Sequence, residues 1–250
     1  MDISTYEIEA EVEAHHWWFV ARRQLFADLI AQLQLSPDAR VLDVGTSTGT
    51  NLRLLRELGF ANRVGLDLSE DAIRWCAEKG LGKVEKGDAC NLPFGDGEFD
   101  LVLATDIIEH VDDDLRAVSE IRRVLAPGGT AIITVPAFQS LWGLQDTVSH
   151  HKRRYRMRQL LGVIQNAGLT CRESFYFNYL LFLPIWAARQ LIRLFGIQLK
   201  SENQINNAVL NRFLTWLFKI DVATARVIRP PFGVSVMAVT SATPATERTT

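Results

Sequence analysis

The sequence has 250 residues, of which 48% are hydrophobic and 22% are charged, which is typical of one large packed domain or one domain with an inserted subdomain. Its three cysteines, Cys76, Cys90 and Cys171, lie far apart. This argues against a disulfide framework or a CxxC zinc site and favours a reducing, cytoplasmic compartment. The acidic first 18 residues lack the apolar core of a signal peptide.

Charge is divided unevenly along the chain, although the net charge is only -2. Residues 1–150 carry 13 basic and 25 acidic side chains, a net charge of -12, whereas residues 151–230 carry 13 basic and 3 acidic side chains, a net charge of +10. The basic part is expected either to meet an anionic partner, such as a phosphorylated substrate, a nucleic acid or a membrane surface, or simply to face solvent or the acidic part.

Short β-rich runs alternate with helical patterns from residue 40 to residue 136. The predicted strands lie at 40–45, 63–69, 83–89, 99–106 and 130–136. The predicted helices between them lie at 50–59, 69–80 and 112–126, and Pro-Gly-Gly follows the third helix. Ser69 is the expected N-cap of the second helix and Gly80 its stop, and the acids at 112–114 mark the start of the third helix. This order predicts an α/β fold with a mainly parallel sheet covered by helices on both faces.

An apolar insertion follows a further predicted helix at 157–169 and strand at 170–177, and precedes a last strand at 233–242. Its longest apolar run, YLLFLPIWAA, is shorter than the ~20 residues that span a bilayer. The insertion is expected to be either a helical lid or dimer contact, or an element at the membrane interface. We therefore predict a helical cap over 1–36, a main domain over 37–177 and 231–242, the insertion over 178–230, and a disordered tail over 243–250.

A glycine turn follows the first predicted strand, in VLDVGTSTGTNL at residues 41–52. Such a turn before a helix brings backbone N–H groups close to a ligand. Asp67 ends the second strand, where a carboxylate accepts hydrogen bonds from both hydroxyls of a ribose, so a dinucleotide fits up to this point. Asp43, however, would repel a pyrophosphate and suits an amine-bearing ligand. Asp88, after the third strand, can accept from the exocyclic amine of adenine.

This series of motifs resembles the class I S-adenosylmethionine-dependent methyltransferases. The resemblance runs through VLDVGTSTGTN, VGLDLSEDAI, GDACNLPFGDGEFDLVLATDIIEHV and EIRRVLAPGGTAIITVP, and covers roughly residues 40–136. It implies the Rossmann-like fold of that class, which is a seven-stranded, mostly parallel sheet with an antiparallel last strand, here at 233–242. It also implies S-adenosylmethionine as the cofactor, with S-adenosylhomocysteine as the product.

The resemblance assigns cofactor roles by position. The loop at the methionine end of the cofactor would consist of Asp43, Gly45, Thr46 and Gly49. Asp67 would hold the ribose and Leu68 would pack near the adenine, whose edge would meet Asp88 and Ala89, while Thr105 and Asp106 would line the far side. The family usually has D-x-G-x-G-x-G, and Ser47 replaces the second glycine here. A serine in the left-handed region costs about 1 kcal/mol, so we interpret the loop as functional.

Two further stretches resemble a bacterial subgroup of the same family, whose members often occur with enzymes of glycan or lipid-linked metabolism. They are HWWF followed by a pair of arginines near the N-terminus, and W…D…HxRRY after the fifth strand. Arginine forks suit phosphate or carboxylate groups, and an aromatic face attracts a sulfonium. The predicted substrate-binding residues are His16, Trp18, Arg22, Arg153, Arg154 and Tyr155.

Methyl transfer from a sulfonium is an in-line displacement that needs few catalytic groups, because the donor is already activated. The candidates for a general base are His110, His151 and His16, and we predict His110 and His151 as catalytic. His110 and His151 have the alternative role of bonding to local backbone. The adjacent histidine pairs at 15–16 and 150–151 do not share a helix face, so the sequence predicts no metal site.

The predicted function is methyl transfer to a small-molecule acceptor that is anionic, lipid-linked or glycan-related, with peripheral membrane contact through 178–230. Two alternatives remain, which are a non-catalytic binding protein with this fold and a nucleic-acid methyltransferase. The basic HKRRYRMR run favours the second alternative, but the N/D-P-P-Y/F tetrapeptide of enzymes that methylate amino groups of DNA does not follow the fourth strand. A dehydrogenase is disfavoured by Asp43 and by the lack of G-x-G-x-x-G. The oligomeric state stays open.

Overall fold

The computed structural model describes residues 10–195 and 207–242, so the tail predicted at 243–250 lies outside the described residues. In the described part, one seven-stranded sheet has the order β3-β2-β1-β4-β5-β7-β6. Its strands are β1 (Val41–Val44), β2 (Arg63–Asp67), β3 (Lys83–Lys86), β4 (Phe99–Thr105), β5 (Leu125–Pro136), β6 (Leu169–Phe177) and β7 (Ser235–Ala242).

Helices cover the sheet on both faces, as the sequence predicts. They are α1 (Trp17–Gln32), α2 (Thr50–Glu57), α3 (Glu70–Glu78), α4 (Asp114–Val124), α5 (Leu144–Val148), α6 (Met157–Asn166), α7 (Phe182–Phe195) and α8 (Ala208–Ile228). Alternate residues of the central strands point into two separate hydrophobic clusters, for example Leu42 into one and Val41 into the other. The prediction of an α/β fold is confirmed.

Pairing along the sheet confirms the predicted topology. Strands β1 to β5 pair in parallel, while β7 pairs antiparallel with both β5 and β6. The strand order reverses between β1 and β4, which is the point where open parallel sheets place a ligand outside the carboxyl ends of their strands. β1 is buried at every residue, and Asp43 is its one charged member. Asp43 therefore places a buried carboxylate in one of the two strands between which the order reverses.

The predicted boundaries agree closely except at β5. Ser69 is the N-cap of α3, and Asp113 caps α4 by accepting a hydrogen bond from the Arg116 N–H. β5, however, begins at Leu125 rather than at residue 130, because Leu125 pairs with Phe99. The register then shifts, since Pro127 has no N–H to donate to a ladder and the chain loops out before pairing resumes.

The helical insertion between the last two strands is confirmed, with α7 and α8 in that interval. α8 buries Phe218, Val222 and Ala225 along one face and packs on α1, where the Trp18 ring stacks on Phe218 at a centroid distance of 5.4 Å. Asp221, buried in the same helix, accepts hydrogen bonds from backbone N–H groups that follow β6. Within residues 10–195 and 207–242, no helix is both long and apolar enough to cross a membrane.

Candidate cofactor and acceptor site

The turn between β1 and α2 is left-handed at three positions, with φ of 76° at Gly45, 50° at Ser47 and 88° at Gly49. A Cβ at Gly45 would lie 2.6 Å from the Ile107 Cδ1 atom, and one at Gly49 would lie 2.3 Å from the Leu81 Cδ1 atom. Both positions therefore need glycine for space as well as for φ. Ser47 adopts the conformation of the glycine it replaces, at a cost of about 1 kcal/mol.

Asp43 lies below this turn and is fully buried. One of its oxygens accepts a hydrogen bond of 2.9 Å from the Asn51 amide, which also donates to the Thr105 hydroxyl at 2.9 Å. The other oxygen, Oδ2, has no hydrogen-bond partner in the described chain. Burial raises the pKa of Asp43 to about 7, although the Asn51 hydrogen bond opposes the rise. A cationic group placed here would stabilise the carboxylate.

Asp67, at the carboxyl end of β2, connects that strand to the glycine turn. Its Oδ2 atom accepts a hydrogen bond from the Ser47 N–H at 2.9 Å, and its Oδ1 atom accepts one from the Ser69 N–H at 2.9 Å. Burial raises the pKa of Asp67, and these backbone hydrogen bonds oppose the rise. The next side chain, Leu68, is 63% exposed. The carboxylate and an open apolar surface thus lie side by side.

The remaining predicted cofactor residues have mixed surroundings. Asp88 is exposed after β3 and accepts a hydrogen bond from the Cys90 N–H at 2.9 Å, whereas Ala89 is buried. The Thr46 hydroxyl donates to the Asp43 carbonyl and accepts from the Leu66 N–H, so it ties β1 to β2. The position of Thr46 therefore has a structural role whether or not it contacts a ligand.

Glu13, in the segment before α1, docks on the glycine turn. Its side chain is buried and accepts hydrogen bonds from the Thr48 and Thr50 hydroxyls. It also pairs with Arg53 at 2.8 Å and with Lys79 at 2.9 Å. The N-terminal segment thus closes against the turn, because one carboxylate joins α2, α3 and the loop. Sequence reasoning missed Glu13, since it is one acid in an acidic run.

The predicted substrate residues on α1 lie nearby. Arg22 forms an ion pair of 2.7 Å with Asp106, and its guanidinium carbon lies 5.2 Å from the Trp18 ring centroid. Asp106 has φ of 55°, an uncommon conformation that clusters at functional sites. His16 is buried as the N-cap of α1, and burial, with a smaller effect of His15, lowers its pKa to about 4. His16 is thus neutral at pH 7.

Beyond the end of β4, His110 and His151 lie together, with ring centroids 4.6 Å apart and perpendicular planes. Burial, followed by the effect of His151, lowers the pKa of His110 to about 4. The His151 Nδ1 atom is 2.8 Å from an oxygen of Asp146. Glu109 is fully buried beside them, and burial raises its pKa well above the usual range. Sequence reasoning named both histidines but overlooked Glu109.

Asp146 organises the segment that follows β5. Its buried carboxylate accepts hydrogen bonds from the Gly143 N–H at 2.7 Å and from Arg154 Nε at 2.8 Å, besides its contact with His151. Burial alone would raise the pKa of Asp146, but the hydrogen bond from His151 and the charge of Arg154 lower it to about 2. The ionised carboxylate therefore holds His151 and Arg154 in fixed positions.

The three predicted substrate residues of the HxRRY stretch bond to protein groups. Arg153 pairs with Asp114 at 3.1 Å and donates to backbone carbonyls just before α4. Arg154 is buried and donates to the Ala137 carbonyl, in addition to Asp146. The buried Tyr155 hydroxyl donates to Asp114 at 2.7 Å. Arg153 and Tyr155 thus fasten the segment to the start of α4, whereas Arg154 fastens it to the residue after β5. Their binding to a substrate stays a prediction.

Comparisons with known proteins match the central part of the chain to methyltransferases. Residues 42–133 match the family described as "Methyltransferase domain". Norajmaline N-methyltransferase of Rauvolfia serpentina is 33% identical over 140 residues, which cover 52% of this chain and 46% of that protein. Demethylmenaquinone methyltransferase of Staphylococcus carnosus is 33% identical over 124 residues, which cover 44% of this chain and 51% of that protein. The chain thus spans about half the length of these curated relatives.

Solved structures share the fold. A SAM-dependent methyltransferase from Archaeoglobus fulgidus has a TM-score of 0.54 and 20% identity, and the match covers 88% of this chain and 94% of that one. The [4+2]-cyclase SpnF has a TM-score of 0.58 and 23% identity, with 88% and 80% covered. At such identities the likeness shows the fold alone. Residues 42–133 thus match a methyltransferase domain, and the described chain shares the fold of these solved structures.

Proposed function

We propose that this chain transfers the methyl group of S-adenosylmethionine to a small-molecule acceptor by in-line displacement at the sulfonium. The observation that carries the proposal is the left-handed glycine turn, which lies between Asp43, with one buried oxygen that lacks a partner in the described chain, and Asp67 at the end of the next strand. The donor is already activated, so positioning of the two reactants supplies most of the rate enhancement.

Each part of the cofactor has a matching group along the carboxyl ends of β1, β2 and β3. The free oxygen of Asp43 suits the ammonium group of the methionine part, which is a cation. Asp67 suits the ribose hydroxyls, and the exposed Leu68 offers an apolar surface to the adenine ring. Asp88, exposed after β3, suits the adenine amine. Two charge-assisted hydrogen bonds to Asp67 would contribute about 1.5–3 kcal/mol each.

The acceptor belongs on the other side of the strand reversal, beyond the end of β4. His110 and His151 lie there and are the candidates for the group that removes a proton from the acceptor. Arg22 lies in the same region, and its Nε atom is buried with no hydrogen-bond partner in the described chain. An unsatisfied guanidinium N–H favours an anionic acceptor, because a carboxylate or phosphate oxygen would complete its bonding.

An exposed apolar stripe on α8 supports contact with an anionic membrane surface and hence a lipid-linked or glycan-related acceptor. Five residues at helical spacing form the stripe and are between 37% and 84% exposed: Val209, Phe213, Trp216, Ile220 and Val227. A groove of about 600 Å³ beside the stripe includes Arg212 and Lys219 in its lining. Residues 151–230 carry a net charge of +10. Apolar residues flanked by cations are typical of helices in a bilayer interface.

A transfer assay with methyl-labelled S-adenosylmethionine tests the function. The protein is incubated with a total cell extract, and label is measured in the organic phase, in the aqueous metabolites and in precipitated nucleic acid. We expect label in the organic phase, with Asp67→Ala reducing it at least about 100-fold because two charge-assisted hydrogen bonds are lost. Asp38→Ala, an exposed aspartate before β1, is the matched control and should transfer normally. Label in nucleic acid would contradict the proposal.

Vesicle flotation tests the membrane contact. We expect the protein to float with phosphatidylglycerol-containing vesicles at low salt and much less with pure phosphatidylcholine. Trp216→Ser should weaken binding about 10-fold or more, because burial of a large side chain contributes about 1.5–3 kcal/mol. Leu115→Ser, an exposed apolar residue on α4 that is 39% exposed, serves as the control and should bind normally. Failure of the wild-type protein to float with either vesicle would rule out this contact.

A further inference from the structure

A compact group of three potential metal ligands lies just beyond the end of β4. Glu109, His110 and His151 each offer one ligand atom, and these atoms all lie within 4.8 Å of one another. Glu109 and His110 come from the turn after β4, whereas His151 comes from the segment after α5. The His151 Nε2 atom is 4.0 Å from an oxygen of Glu109, which is too long for a hydrogen bond.

Glu109 needs a partner that the described residues do not supply. Its side chain is fully buried, and neither carboxylate oxygen has a hydrogen-bond partner within the described ranges. A buried carboxylate without a partner costs several kcal/mol, and such groups in native proteins call for an explanation such as an ion. A bound cation would satisfy both oxygens and the charge at once.

The second ligand, His151, is already oriented for coordination. Its Nδ1 atom contacts Asp146 at 2.8 Å, and Asp146 is itself fixed by Arg154 and by the Gly143 N–H. A carboxylate that accepts from one ring nitrogen leaves the other nitrogen as the donor to a metal, an arrangement found at most histidine metal sites. The Nε2 atom of His151 is the one that faces Glu109.

We propose that Glu109, His110 and His151 bind a divalent transition-metal ion of the zinc or manganese class. Two imidazoles and one carboxylate favour such ions over Mg²⁺ and Ca²⁺, which prefer oxygen ligands. Tetrahedral coordination with bonds of about 2.1 Å needs ligand atoms roughly 3.4 Å apart, so each side chain would move inward by less than about 1 Å. Three protein ligands leave at least one coordination position open.

The position of the cluster connects the ion to the acceptor. Ile107, two residues before Glu109, lies against Gly45 of the glycine turn, so the cluster borders the methionine end of the cofactor site. An imidazole nitrogen that binds a metal cannot accept a proton, so in the metal-bound protein the ion takes over the role of a base from His110 and His151. A hydroxyl acceptor in the open position would lose its proton to water more readily. Its oxygen then bonds to the methyl carbon as the carbon–sulfur bond breaks and that electron pair returns to sulfur. This role rests on the proposed methyl transfer, whereas ion binding does not.

Calorimetric titration of chelator-treated protein with MnCl₂, and separately with ZnCl₂, tests the proposal without any cofactor. We expect one site per chain in the wild-type protein with at least one of the two ions, and at least about a 10-fold loss of affinity in Glu109→Gln and in His151→Asn. His150→Asn replaces the adjacent exposed histidine and should bind like the wild type. Equal binding by wild type and Glu109→Gln, or no binding by the wild type, would overturn the site.

Thermal unfolding gives a second readout that does not depend on activity. Glu109→Gln removes a metal ligand with almost no change of side-chain shape, so the metal-free variant should melt near the metal-free wild type. The bound ion should raise the melting temperature of the wild type but not that of Glu109→Gln.

A separate titration with S-adenosylhomocysteine keeps the two proposals distinct. Cofactor binding without metal binding would overturn only the metal site, and the reverse would overturn only the proposed function.

Discussion

Asp146→Ala is expected to lower the free energy of unfolding by about 3–5 kcal/mol, the largest stability effect among the site residues. The buried carboxylate accepts hydrogen bonds from the Gly143 N–H and from Arg154, and contacts His151. Removing the carboxylate takes the counter-ion away from a buried guanidinium. The resulting loss of unfolding free energy is larger than the net contribution of the intact ion pair to stability. Urea unfolding monitored by circular dichroism measures the change as a shift in midpoint at constant slope.

Asp96→Ala is the matched control for Asp146→Ala. Asp96 also pairs with an arginine, Arg123, at 2.8 Å, but its side chain is 83% exposed. An exposed ion pair contributes about 0–1 kcal/mol, so this variant should unfold near the wild-type midpoint. Similar losses of unfolding free energy in the two variants would show that burial does not determine how much Asp146 contributes to stability.

Gly49→Ala is expected to destabilise the protein by about 2–5 kcal/mol and to abolish cofactor binding, whereas Gly59→Ala should cost only about 1–2 kcal/mol. The two glycines have nearly the same φ, 88° and 89°. A Cβ at Gly49 would lie 2.3 Å from Leu81 Cδ1, but a Cβ at Gly59 would meet nothing within 4 Å. The difference between the two variants therefore isolates the steric part.

Urea unfolding and S-adenosylhomocysteine affinity of these two variants are measured together. We expect Gly59→Ala to retain wild-type affinity, because Gly59 follows α2 at the end remote from the glycine turn. Equal stability losses would mean that Leu81 moves aside at little cost. Retained affinity in Gly49→Ala would mean that the turn tolerates a side chain and that its shape does not determine cofactor binding.

The fold was predictable from the sequence because its signals are local. Strand runs, Ser69 as an N-cap and the aspartates before α4 each depend on a few neighbouring residues, and the structure confirms them. The start of β5 was predicted five residues late, since the pairing of Leu125 with Phe99 is a contact between distant segments. No periodicity within 125–129 indicates that pairing.

The sequence predicted a site residue only where a family motif assigns that residue to the end of a particular strand. Glu13 and Asn51 escaped prediction because their importance comes from partners 30 or more residues away, or from a shared contact such as Asn51 with Thr105. Glu109 was not predicted because one of the two potential ligands beside it, His151, is distant in the sequence. Only the folded chain brings the two residues close. Conversely, the sequence does not indicate that the guanidinium N–H groups of Arg153 and Arg154 donate to backbone carbonyls of the protein.

Calorimetric titration of the wild-type protein with S-adenosylhomocysteine tests the central claim most directly, because it needs no knowledge of the acceptor. We predict one site per chain with a Kd of about 1–100 µM, which corresponds to roughly 5–8 kcal/mol of binding free energy. Asp67→Ala should weaken this binding and Asp38→Ala should leave it unchanged. No binding at millimolar ligand by a folded protein would contradict the assignment of the glycine turn, Asp43 and Asp67 to the cofactor.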